Sequence, residues 1–194
     1  MGNTASKYFL EKNRNNKHNN MIAIGIDNGI SGAIAIVEKQ QGNLEQVKQT
    51  ILVPLTSVGK EKFIDEKAVK TTFDKQVELY GIDNIVVIFE MGQKQPMFGC
   101  KGNFSNGYSY GVIKTIVRLY EPALRHIEVN PRTWQKVIHK DIRGAETSTK
   151  EASIEYCKRT FPGVSLVASP RAKKAHDGIA DALCMASYAL KING

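Results

Sequence analysis

Alternation of apolar side chains over MIAIGI, residues 21 to 26, predicts a β-strand with two unlike faces. Ile22, Ile24 and Ile26 share one face, while Ala23, Gly25 and then Asp27 share the other, so an acid closes the face of smallest side chains. Asn28, Gly29, Ser31 and Gly32 supply turn chemistry, and the apolar run from Ala33 to Val37 completes a hairpin. Gly42 and Asn43 mark a further turn, and Gln46 to Leu55 reads as a third strand ended around Pro54, which makes an antiparallel meander. From Asp65 to Tyr80 the residues Ala68, Val69, Phe73, Val77 and Tyr80 recur at helical spacing, with Gly81 at the position a helix C-terminus favours. Ile85 to Phe89 (IVVIF) is β-branched, unbroken and too short for a helix, the pattern of a strand buried on both faces. It runs directly into Glu90.

Beyond Glu90 the Gly-rich segment from Met91 to Asn103 has no helical period and predicts a mobile loop. Ser105 to Tyr120 then reads as a helix whose Gly107 and Gly111 predict a close approach to another backbone. Ile127 to Val129 is a short strand, and Asn130 with Pro131 opens a helix through Trp134 and Ile138. Ser148 and Glu151 match a capping box for a helix that Pro162 and Gly163 stop after Phe161. His176 to Leu190 forms a final helix rich in small residues. This order predicts an α/β fold: a mixed five-stranded sheet, three antiparallel strands then parallel ones, with helices on its faces. Residues 1 to 20 are polar, Asn-rich and aperiodic, and are expected to be a disordered extension ahead of a domain spanning 21 to 194.

A chain of 194 residues, 42% hydrophobic, has room for one full-sized core, and no apolar run reaches the length of a membrane span. The excess of 27 basic over 19 acidic residues, a net charge of +8, favours a polyanionic partner. Cys100, Cys157 and Cys184 are odd in number and form no CxxC pair, which argues against a disulfide framework or a zinc site and for a reducing intracellular compartment. Gly2 with Ser6 fits the N-myristoylation pattern, against a plain polar tail as the other reading.

The acids fall at informative places. Asp27 ends the first strand, Glu90 ends the fourth, and Asp177 and Asp181 share one face of the last helix. Like charges four apart destabilise a helix by roughly 0.2–0.5 kcal/mol, and a shared divalent cation, Mg²⁺ or Mn²⁺, would compensate. The other reading, four unrelated caps and surface acids, leaves unexplained why Glu90 ends a buried apolar strand.

The ordered set GIDNGISGA, IVVIFE, FSNGYSYG, NPRTWQKVIH, STKEAS and HDGIADAL resembles the RuvC family of Holliday junction resolvases, its phage-type branch most closely, over about residues 21 to 190. GIDNG also opens sugar kinases and actin-like ATPases, but those need a second such domain and a further phosphate loop. The resemblance implies an RNase H-like fold, a homodimer, and symmetric nicking of four-way DNA junctions that depends on Mg²⁺, two ions per site. Matched by motif, Asp27, Glu90, Asp177 and Asp181 are the catalytic and metal-holding acids. Many members space the last two acids three apart. Here that position is Gly178, and Asp177 takes the role one residue earlier.

His176 is read either as a support or DNA contact or as a solvated helix cap. Lys136 and Lys150 match the family's basic positions, and Arg171, Lys173 and Lys174 form a basic run before the last helix. With Lys101 and Phe98 of the Gly-rich loop, these make up the candidate DNA contacts. Phe98 and Phe104 are each read as a wedge against unpaired bases or as core, the core reading being stronger for Phe104 than for Phe98; Trp134 is read as core. The alternatives in function are a broader flap or fork nuclease and a catalytically inactive junction-binding module.

Overall fold

The computed structural model describes residues 20–40, 42, 44–94, 96–142 and 147–193, so the expected N-terminal extension, apart from Asn20, and its myristoylation pattern lie outside the described residues. The two unlike faces of β1 (Met21–Ile26) set the layers of the molecule. β1 pairs antiparallel with β2 (Ala33–Lys39), and β2 antiparallel with β3 (Glu45–Leu52). On its other side β1 runs parallel to β6 (Ile85–Glu90), which runs parallel to β7 (Arg125–Val129). The sheet order is β3-β2-β1-β6-β7, the mixed five-stranded arrangement that the sequence predicts.

Ile22, Ile24 and Ile26 join Val87 and Phe89 in a core against α1 (Glu66–Tyr80) and α2 (Gly99–Arg118). Ala23, Ala33, Ala35 and Ile88 face the opposite way, toward α3 (Pro131–Ile138), α4 (Thr149–Thr160) and α5 (Asp177–Asn193). The small side chains of this second face have a purpose. A Cβ on Gly25 would collide with the Ala182 carbonyl oxygen and lie 2.7 Å from the Ala186 nitrogen, so α5 rests on the β1 backbone itself. That contact carries the first turn of α5 to the end of β1. The helix starts agree with the sequence: Asn130 accepts from the Arg132 N–H ahead of Pro131, and Ser148 and Glu151 close both halves of a capping box.

Three expectations need correction. β3 stops at Leu52, and the chain then forms a separate hairpin, β4 (Leu55–Val58) with β5 (Glu61–Ile64), turning at Gly59 with φ +62. All four β4 residues are exposed, so there is no buried face to impress an alternating pattern on that strand. The segment expected as a loop contains a 3-10 turn, Pro96–Phe98, and α2 begins at Gly99 rather than near Ser105. Gly99, Gly102 and Asn103 are weak helix formers that hide this start. Side-chain amides secure it, Asn103 donating to the Gly99 carbonyl (2.8 Å) and Asn106 to the Gln93 carbonyl (3.0 Å). Finally, a Cβ on Gly107 or Gly111 would meet nothing within 4 Å. Among the described residues no close approach to them is made, and both line an open groove beside Lys67 and Lys70. Among the described residues no helix is long and apolar enough to cross a membrane.

Candidate active site

Because β1 and β6 are parallel neighbours with Ile26 opposite Phe89, Asp27 and Glu90 leave the sheet side by side at one edge. Asp27 holds a turn, the Gly29 N–H donating to its Oδ1 at 3.2 Å. It also faces the start of α5. A Cβ on Gly178 would lie 2.8 Å from Asp27 Oδ2 and 2.9 Å from the Ser31 carbonyl oxygen. A side chain at 178 would therefore press on the Asp27 carboxyl, which gives a physical reason why the acid of this helix turn stands at 177.

Asp177 and Asp181, one turn apart on α5, both line a cleft of about 550 Å³ together with Asp27 and Glu90. Lys150, in the first turn of α4, reaches into the same cleft and pairs with Asp177 Oδ2. Glu90 is held twice. Its Oε1 accepts from the Trp134 indole N–H at 2.9 Å, and its carbonyl accepts from the Asn28 side-chain amide at 3.4 Å. The Ser153 hydroxyl stands beside Asp181, favouring its charged form, and lies 3.0 Å from His139 Nε2. The Tyr110 ring packs on Gly92, where a Cβ would sit 2.7 Å from its Cδ1, and so fixes the strand exit beside Glu90.

Burial pushes Glu90 up to about 7, with the Trp134 bond opposing and the charge of Asp27 adding. Burial likewise pushes Asp181 up to about 7, opposed by Ser153 and reinforced by Asp27, Glu90 and Asp177. Asp27 is raised by burial, with the Gly29 N–H opposing and Asp177 adding. Asp177 goes the other way, because the Lys150 ammonium holds its carboxyl below the usual range. Among the described residues the cleft is thus short of positive charge: four carboxyls share one ammonium contact, and three of them resist ionisation. Among the described residues no three carboxylate, imidazole or thiolate side chains are closed into a ready cage for a metal ion. The donor set, all hard carboxylate oxygens in an open cleft, fits Mg²⁺ or Mn²⁺ rather than a soft metal.

Of the remaining candidates, His176 caps α5, its Nδ1 accepting from the Ile179 N–H at 3.4 Å, and it stands near enough that its charge would lower Asp27. Lys136 is exposed on α3 in a separate pocket with Arg132 and Lys140. Arg171, Lys173 and Lys174 are exposed on the segment leading into α5 and do not line the cleft. Lys101 lies on α2, 3.5 Å from Glu61 of the hairpin. Phe98 belongs to the 3-10 turn. Phe104, which carried the stronger core reading of the two phenylalanines, is 70% exposed and is not core. Trp134 is fully buried as expected, but its bond to Glu90 escapes sequence reading, as does the placing of Ser153 beside Asp181. The one signal available for Trp134 was its place just inside a capped helix start.

No protein-family model and no curated protein matches this sequence. Its structure resembles that of T. thermophilus RuvC in complex with a Holliday junction substrate, with a TM-score of 0.55, 12% identity, and 89% of this chain and 95% of that chain covered. A second Thermus thermophilus RuvC structure gives a TM-score of 0.54 at 17% identity over the same shares, 89% and 95%. The yeast mitochondrial Holliday junction resolvase Ydc2 gives 0.58 at 10% identity, over 88% of this chain and 78% of that one. At such identities the likeness is one of fold. The chain has the RuvC-like, RNase H-like α/β fold, and its four candidate acids stand in one cleft at the edge of that sheet.

Proposed function

We propose that this chain is a divalent-metal-dependent DNA endonuclease that resolves four-way junctions by paired symmetric nicks. The observation that carries the reading is the convergence of Asp27, Glu90, Asp177 and Asp181, distant along the chain, on one cleft beside Lys150. The fold is that of RuvC, one structure of which contains a Holliday junction substrate. Those four acids would hold Mg²⁺ or Mn²⁺, two ions per site. Bound there, the ions supply Lewis-acid polarisation of a phosphoryl oxygen and a water of lowered pKa. The chain's own residues do the rest. Trp134 orients Glu90, the Gly29 N–H orients Asp27, Ser153 stands beside Asp181, and in this reading the Lys150 ammonium meets a phosphate oxygen entering the cleft.

Paired nicks need two clefts, so the active species is a homodimer in this reading. The open glycine face of α2, with the exposed Leu119, is the surface available to a second copy. An intracellular, reducing setting agrees with Cys157 and Cys184, free and buried with sulfurs 3.9 Å apart. Incubation with four-way, Y-shaped and linear DNA, with and without Mg²⁺ or Mn²⁺, tests the whole proposal. Metal-dependent cutting of the four-way junction, lost in Asp27→Asn while binding persists, is the expected result. Equal cutting of Y-shaped DNA would make it a broader branched-DNA nuclease. Binding without cutting would make it a junction-binding module, and cutting that survives Asp27→Asn would remove the acid cluster from the mechanism.

A further inference from the structure

We infer that the β4–β5 hairpin and the first turns of α2 form a second DNA subsite, a groove that seats a strand of the branch as it leaves the acid cleft; this rests on the nuclease reading above. The hairpin is not part of the main sheet. It is anchored by the buried Ile64, by the Asp65 N–H on the Pro54 carbonyl (2.8 Å), and by Phe63 edge-on to Tyr108 at 5.5 Å between ring centres. Between hairpin and helix runs a groove of about 280 Å³, lined by Ile30, Lys60, Lys62, Phe63, Lys101 and Phe104. Apolar and aromatic side chains alternate in its lining with three lysines.

Charge and continuity identify the occupant. Lys60, Lys62 and Lys101 stand against a single acid, Glu61, whose contact with Lys101 is too exposed to cancel the positive field. Ile30 and Ser105 line both this groove and the acid cleft, so a polyanion lying in one continues into the other. Phe104, which lines the groove and is 70% exposed, offers a face to an unpaired base, and the lysines offer ammonium groups to the flanking phosphates. A strand with unstacked bases uses both features, and an intact duplex uses only the lysines. The hairpin thereby favours branched over linear DNA.

The test uses the full chain without divalent metal, so that binding is read apart from cutting, on a four-way junction and a linear duplex of equal length. Lys60→Ala with Lys62→Ala should weaken junction binding about 5- to 20-fold and lower the slope of log affinity against log salt by about 1.4–1.8. Phe104→Ala should erase most of the preference for junction over duplex, and Phe104→Trp should keep it. Circular dichroism and thermal melts confirm that these exposed positions leave the fold intact. Unchanged salt slope and unchanged preference, in variants that still cut the junction, would overturn the hairpin subsite and leave the nuclease reading standing. A wild-type chain that neither binds nor cuts the junction would overturn both. Loss of binding only to an acidic polypeptide competitor, with DNA binding intact, would assign the groove to a protein partner and overturn the inference.

Discussion

Glu90 and Asp181 are carboxyls that the fold keeps protonated up to about pH 7, from ordinary values of 4.5 and 3.8. A folded-state pKa above the unfolded one means the folded chain binds the proton more tightly. The stability these groups lend is therefore complete below about pH 4 and is lost as pH climbs through 7, by roughly 1–3 kcal/mol per group. Without divalent metal the melting temperature should fall by several degrees between pH 5 and pH 8. Glu90→Gln or Asp181→Asn should flatten that fall and raise the pH 8 midpoint, while abolishing cleavage. Mg²⁺ should stabilise the wild type more at pH 8 than at pH 5, since it competes with protons for the same oxygens; equal shifts at both pH values would place its binding elsewhere. Trp134→Phe keeps an aromatic ring in the core but removes the 2.9 Å bond to Glu90. It should cost about 1–3 kcal/mol in stability and shift the pH–rate profile upward, because the lost bond opposed the rise of Glu90. A profile that stays in place would reduce Trp134 to packing alone.

The decisive contact between elements is α5 on β1. Because a Cβ on Gly25 would strike the α5 backbone, Gly25→Ala should destabilise the chain by about 2–4 kcal/mol in urea melts and push Asp177 and Asp181 away from Asp27. Activity should then fall further than stability alone explains, which measurement at a temperature well below the variant's melting point would reveal. The alternation of large Ile22, Ile24 and Ile26 with small Ala23 and Gly25 was legible from residue types, and so was the acid on the small face. That the small face receives a helix, and which helix, was not. The β4–β5 hairpin and the first turns of α2 were missed for a related reason: both are solvent-facing or weak in propensity, so neither bears the periodic burial that makes an element readable.

At the scale of the whole molecule, the positive balance of +8 coexists with a cleft of four acids, and in the proposed reading a DNA substrate spans both. In solution the proposed dimer should show twice the 21.5 kDa chain mass by light scattering. Gly111→Arg on the open face of α2 should halve it and convert paired nicks into single ones; an unaltered dimer would move the interface away from that helix. What the sequence alone determined is local: the faces of the strands, the capped helix starts, and the position of the candidate acids at strand and helix ends, since each is set by residues a few positions apart. Only the tertiary structure decided what stands beside what, namely Trp134 at Glu90, Ser153 at Asp181, Gly178 under Asp27 and Phe104 open to solvent beside a basic hairpin. Those neighbours follow from the sheet order and the seating of α5 on a glycine, long-range packing choices that leave no periodic trace in the order of residues.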